Sequence, residues 1–145
     1  MSNQLMGVAT LINDKVKFSG ISRDNEEIII DYVKPIGDGE GYTSLELFLL
    51  SLATCSGTSI SSMLRRMHKD ITGLKITTFG ERREEHPTYF KKILMHFELK
   101  SKDVEAPDIE KAIRISEDSI CPVWNMVKNN VEINYEYEII RVNQV

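Results

Sequence analysis

From Thr43 to about Lys69 the chain places apolar and small side chains at helical spacing, and this segment constrains the fold more than any other. Leu45, Phe48, Leu49, Leu52, Ser56, Ser59, Ile60, Met63, Leu64 and Met67 fall on one broad face. Thr43 or Ser44 is suited to the N-cap, and Gly73 marks the exit. The first half is apolar almost all round, so the helix should be buried rather than laid on a surface. Ser51, Ala53, Cys55, Gly57 and Ser59 are small enough to let another backbone approach closely. Covering such a helix takes a sheet, and 145 residues, 41% hydrophobic and 28% charged, are enough for one domain over 1–145 with a real core.

The rest of the chain supplies that sheet. Strands are expected over Met6–Ile12, Lys15–Ile21 and Glu27–Tyr32, separated by the turn chemistry of Asn13-Asp14 and Arg23-Asp24-Asn25. After the helix come strands over Leu74–Arg83 and Tyr89–Leu99, joined around His86-Pro87-Thr88. Ile93, Met95, Phe97 and Leu99 alternate with polar residues, interrupted by Leu94. Helices are expected over Pro107–Glu117 and from Pro122 onward. Val131 to Ile139 then alternates strictly and is the clearest strand. The order βββ-α-ββ-α-α-β reads as α+β, with a mixed or antiparallel sheet packed on the long helix.

Charge and composition exclude several function classes. A net charge of −4 argues against nucleic-acid and anionic-membrane partners. The apolar stretch Leu45–Ala53 is far short of the ~20 residues needed to span a bilayer. The N-terminal residues lack a basic stretch followed by an apolar one, so no secretory signal is expected, and a cytoplasmic setting is the default. Two cysteines with His68, His86 and His96 offer no zinc-type spacing, and no metal or other cofactor is expected. Pro35-Ile36-Gly37-Asp38-Gly39-Glu40-Gly41 has a GxGxG spacing. No helix-opening Gly-x-x-Gly completes a phosphate-binding fingerprint, so a flexible connection is the expected reading.

Cys55 and Cys121 are the only thiols. In a reducing compartment such a pair is more often catalytic or redox-sensing than structural. Cys55 lies in the largely apolar helix, where desolvation raises a thiol pKa and leaves it unreactive. Pro122 at a first helical position places Cys121 at the N-cap, where a helix N-terminus favours a thiolate.

Thr43-Ser44-Leu45-Glu46-Leu47-Phe48-Leu49-Leu50-Ser51-Leu52-Ala53-Thr54-Cys55, Glu81-Arg82-Arg83-Glu84-Glu85-His86-Pro87-Thr88-Tyr89-Phe90 and Ile115-Ser116-Glu117-Asp118-Ser119-Ile120-Cys121-Pro122-Val123 occur in that order. Together they resemble three segments of the OsmC/Ohr proteins (osmotically inducible protein C and organic hydroperoxide resistance), nearest the YhfA-like branch. The resemblance runs from about residue 7 to 140. It implies an intertwined homodimer with active sites at the subunit interface. It also implies thiol-dependent reduction of organic hydroperoxides, and of hydrogen peroxide as a second substrate, in oxidative-stress defence with a small or protein dithiol as reductant. Cys55 matches the peroxidatic cysteine and Cys121 the resolving one. The position of the organic hydroperoxide resistance glutamate is Leu45 here, while Glu46 matches the glutamate of the YhfA-like branch. Arg23-Asp24 resembles the family's N-terminal Arg-Asp, which makes Arg23 the first candidate for the helping arginine, with Arg82 and Arg83 behind it. The alternative is a non-catalytic binding module for an acyl or thiol-bearing small molecule at the dimer interface.

Magnitudes define what an arginine would have to do. Lowering a thiol pKa of about 8.5 by about three units raises the thiolate fraction roughly thirtyfold. With a Brønsted slope of ~0.45, nucleophilicity falls about twentyfold, and the two effects nearly cancel. An arginine at such a site must instead stabilise the charge that develops on the departing oxygen.

Overall fold

The computed structural model describes residues 3–143. The elements run β1 (Val8–Leu11), β2 (Phe18–Ile21), β3 (Ile28–Ile30), α1 (Ser44–Arg66), β4 (Gly73–Arg82), β5 (Phe90–Ser101), α2 (Ala106–Ile115), α3 (Pro122–Val127) and β6 (Glu132–Arg141). A π-helical turn over Ser116–Ile120 joins α2 to α3. The α+β order expected from the sequence is therefore present, with two three-stranded sheets. Two compact units divide the chain after Phe48.

In the first unit β1, β2 and β3 form an antiparallel meander, with Val8 opposite Ile21 and Phe18 opposite Ile30. These strands are shorter than their sequence patterns. The Asn13 side chain accepts from the N–H groups of Lys15 and Lys17 at 3.0 and 3.1 Å, so the first turn extends to Lys17 and β2 begins at Phe18. At the other end β3 stops at Asp31, whose buried carboxylate organises the following loop. Asp31 accepts from the N–H groups of Tyr32 (2.8 Å), Asp38 (3.2 Å) and Glu40 (3.1 Å).

The Gly37–Gly41 loop is thus closed around an internal carboxylate rather than being a flexible connection. A Cβ at Gly37 would lie 2.2 Å from the Tyr32 carbonyl oxygen, so glycine is required by close approach. The N–H groups of Asp38 and Glu40, which a phosphate loop would offer to its ligand, here meet the chain's own anion. Lys15 on Asp38 and Lys17 on Glu40, at 2.6 and 3.0 Å, add ion pairs to the same loop.

Helix α1 opens with a reciprocal cap. Glu46 Oε1 accepts from the Thr43 N–H at 2.7 Å, and Thr43 Oγ1 accepts from the Glu46 N–H at 3.2 Å. Thr43 is therefore the N-cap. Measured only to Ala53, the apolar stretch is short. Beyond it Thr54, Ser56, Thr58 and Ser59 are polar without charge, so the full 23-residue helix is long and apolar enough to cross a bilayer by length and composition alone.

In the second unit α1 lies on the sheet β4-β5-β6. Leu52, Ile60 and Leu64 are fully buried, and Thr78 Oγ1 donates to the Leu49 carbonyl at 3.3 Å. A Cβ at Gly57 would meet Ile76 Cδ1 at 2.8 Å, which is the close helix–strand approach expected of the small-residue stretch. β5 is central, antiparallel to β4 and parallel to β6, with Ile93 opposite Ile133 and Leu99 opposite Ile139. A parallel pair needs a crossover, and α2, the π-helical turn and α3 provide it. Ile93, Met95, Phe97 and Leu99 form the buried face of β5, with Ile109, Ala112 and Ile113 of α2 also buried. The register of β5 with β6 fixes where the crossover, and hence Cys121, can lie.

Candidate functional site

Cys55 lies at mid-helix on α1 and is half-buried, while Cys121 precedes α3 and is fully buried; both are free thiols. Distant in sequence, they are neighbours in the fold, near enough for the Cys121 thiol to act on Cys55. Cys121 is the N-cap of α3, and its Sγ accepts from the Trp124 N–H at 3.4 Å, as Pro122 at the first helical position predicts. The preceding N–H, that of Val123, counters the rise in the Cys55 pKa.

The approach to Cys121 differs from the sequence expectation. Helix α2 ends at Ile115, not Glu117, and the chain widens into the π-helical turn, in which the Cys121 N–H donates to the Ser116 carbonyl at 2.9 Å. The wider turn supplies a partner for this N–H immediately before Pro122, which has none to give. Asn125 Nδ2 locks the junction, donating to the carbonyls of Cys121 (2.9 Å) and Glu117 (3.0 Å).

Ser56, the residue after Cys55, is fully buried and places Oγ 3.7 Å from Cys121 Sγ. The sequence shows Ser56 only as one of the small residues on the buried helix face. Its adjacency to Cys55 is a weak signal, and its partner is not visible without the fold. Trp124 is fully buried and packs edge-to-face on Tyr135 at 6.4 Å, a core residue as expected.

The electrostatics of Cys55 are those of an apolar site. Burial is the main cause that pushes its thiol pKa up, the hydrogen bond to Cys121 adds to this, and the Val123 N–H opposes them. Among the described residues, no cation is one of the groups that shift it. Of the other site residues named from sequence, Arg23 and Glu46 belong to the first unit. Arg23 sits exposed in the β2–β3 turn of the first unit, with a left-handed backbone (φ 56°). Glu46 is exposed and its Oε1 holds the helix cap. Arg82 donates through Nε to the Thr88 carbonyl at 2.7 Å and also bonds the Thr88 hydroxyl. Arg83 donates to the Tyr89 hydroxyl at 2.8 Å and stacks on its ring. Both reserve arginines are engaged in the β4–β5 hairpin.

Metal-capable groups meet on a different face. Among the described residues, His96, Glu98 and Glu138 bring ligand atoms within 4.8 Å of one another, a grouping that strand register creates and linear spacing hides. These side chains already pair, His96 with Glu136 at 3.0 Å and with Glu138 at 3.7 Å, and Lys75 with Glu98 at 3.9 Å.

A long helix carrying one thiol, set on a sheet whose crossover carries the other, places the chain among the OsmC-like proteins. Residues 37–136 match the family model described as OsmC-like protein, and the chain belongs to that family. Among its relatives, Protein YhfA of Escherichia coli K12 is 28% identical over 123 residues, covering 85% of this chain and 90% of YhfA. The crystal structure of an OsmC-like protein from Mycoplasma pneumoniae superposes with a TM-score of 0.81 at 24% identity, over 97% of this chain and all of that one. The organic hydroperoxide resistance protein OhrB of Bacillus subtilis gives a TM-score of 0.65 at 16% identity, covering 93% and 98% of the two chains. At these identities the two structures establish the fold.

Proposed function

We propose that this protein is a cofactor-independent thiol peroxidase that reduces organic hydroperoxides in oxidative-stress defence, working as a cytoplasmic homodimer and regenerated by a dithiol. The observation that carries this reading is the meeting of two free thiols of unequal exposure, Cys55 half-buried and Cys121 fully buried. The more accessible sulfur suits attack on a peroxide, and the sheltered one suits resolution.

The Cys55 thiolate attacks one peroxide oxygen. The O–O bond breaks, Cys55 becomes a sulfenic acid, and the other oxygen leaves as an alcohol after taking up a proton. The Cys121 sulfur then attacks the Cys55 sulfur. The S–S bond forms, the S–O bond breaks, and hydroxide leaves with the Cys121 proton as water. A dithiol reduces the disulfide.

Arg23, supplied within the homodimer, stabilises the departing oxygen. Glu46 fixes its guanidinium, a carboxylate having lone pairs beyond the one used by the cap. A thiol whose pKa is raised by burial, with no cation among the described residues that shift it, supports the need for such a helper. Exposed Val8, Leu11, Ile21 and Ile28 on the β1–β3 meander support a second copy as cover.

The raised Cys55 pKa favours one alternative, a binding module for an acyl or thiol-bearing small molecule with no turnover. Consumption of an alkyl hydroperoxide in the presence of a dithiol separates the two. Turnover that disappears in Cys55→Ser is the expected result. Retention of an acyl or thiol compound without hydroperoxide consumption would establish the binding module.

A further inference from the structure

The Ser56 hydroxyl of α1 departs from the usual behaviour of helical serines and threonines. Thr54 and Thr58 donate to the carbonyls of Leu50 and Thr54 at 2.9 Å, and Ser59 to that of Cys55 at 3.1 Å, the ordinary bond to the preceding turn. Ser56, fully buried between them, is aimed at a sulfur on another element, Cys121 Sγ at 3.7 Å. That sulfur also accepts from the Trp124 N–H at 3.4 Å. The Ser56 hydroxyl and the Trp124 N–H therefore converge on it from two different elements.

We propose that Ser56 is a positioning residue, whose hydroxyl holds the Cys121 sulfur against Cys55 and donates to that sulfur once its proton has gone. The inference rests on the peroxidase reading for its kinetic consequence but not for the contact itself. In the neutral pair either atom can donate; a thiolate can only accept, so deprotonation fixes Ser56 as the donor. In the resolving step the Cys121 thiolate displaces hydroxide from the Cys55 sulfenic acid, forming the S–S bond as the S–O bond breaks. Ser56 acts on the nucleophile of that step, whereas Cys55 oxidation precedes it. A hydrogen bond to a charged group in a buried site corresponds to roughly ten- to a hundredfold in an equilibrium or rate.

Two measurements on Ser56→Ala test this. With one equivalent of an alkyl hydroperoxide, rapid-mixing kinetics should show sulfenic acid formation within about twofold of the parent. Disulfide closure should be slowed about tenfold or more. In a Cys55→Ser background, where no peroxide chemistry occurs, thiolate absorbance against pH should show Cys121 ionising at higher pH when Ser56 is alanine. Ser56→Thr keeps the hydroxyl and should restore both properties. Unchanged closure together with an unchanged Cys121 titration would overturn the proposal. A shifted titration in a protein that forms no sulfenic acid would keep the contact and discard the peroxidase reading.

Discussion

Asp31 and Cys55 are both acids withdrawn from water, and their acidities move in opposite directions. Burial raises the pKa of each, because a low-dielectric setting disfavours the charged form. At Asp31 this is outweighed by the N–H groups of Glu40, Tyr32 and Asp38, helped by Lys17, and the carboxyl lies below its ordinary value. At Cys55 a single N–H, that of Val123, opposes burial and the neighbouring thiol, and the pKa rises. The difference lies in the number of donors. A loop closed by glycine can turn several N–H groups onto one anion, whereas a mid-helix residue faces a backbone already committed to its own hydrogen bonds. Asp31 is electrostatically complete within its own unit, whereas burial prevails at Cys55.

The largest test of that contrast is to remove the proposed charge. Arg23→Ala should lower the rate of peroxide reduction by about 10²- to 10³-fold, more than any accompanying change in thiol ionisation explains. Equal losses in both would reduce the arginine to a device for ionising Cys55. Next in size is Asp31→Asn, which replaces an acceptor oxygen by a donor amide facing N–H groups. Limited proteolysis should find the 32–42 loop cleaved faster in this variant. The pH dependence has a definite sign. A carboxyl with a lowered folded pKa stabilises the fold above its unfolded value, near 3.8, and this stabilisation fades as pH falls through the folded value. Loop protection should therefore decline in acid in the parent, and the asparagine variant should lack that decline.

A smaller effect sharpens the other side. Alkylation of Cys55 in the isolated chain should rise with pH, with a midpoint above that of an unperturbed cysteine, because burial holds the thiol neutral. A midpoint below the ordinary value would mean the cation is already in place. The smallest effect concerns Glu46. Glu46→Gln keeps an oxygen for the Thr43 N–H, so the melting temperature should hold within the range of a cap worth about 1 kcal/mol. Peroxide reduction should nevertheless fall. An unchanged rate would confine Glu46 to the helix cap.

Much of this was legible in the sequence because periodicity and local chemistry carry it. The strict alternation before Ile139 marks β6, the apolar spacing from Leu45 marks α1, and Pro122 places Cys121 at an N-cap. What was not legible depends on groups that meet only in space. Gly37, Gly39 and Gly41 look like a phosphate loop or a flexible connection until Asp31 is seen inside it. The π-helical turn leaves no periodic trace in five residues, and the Ser56–Cys121 contact joins segments fixed by the register of β5 with β6. Arg82 and Arg83 look like free cations in sequence, and the hairpin takes both.

The most direct measurement is the mass of the fully reduced protein after one equivalent of an alkyl hydroperoxide. Loss of two hydrogens, as a Cys55–Cys121 disulfide, is expected in the parent protein. Cys121→Ser should instead gain one oxygen, and Cys55→Ser should not change. An unchanged mass in the parent, or a disulfide that still forms between chains without Cys55, would contradict the peroxidase reading.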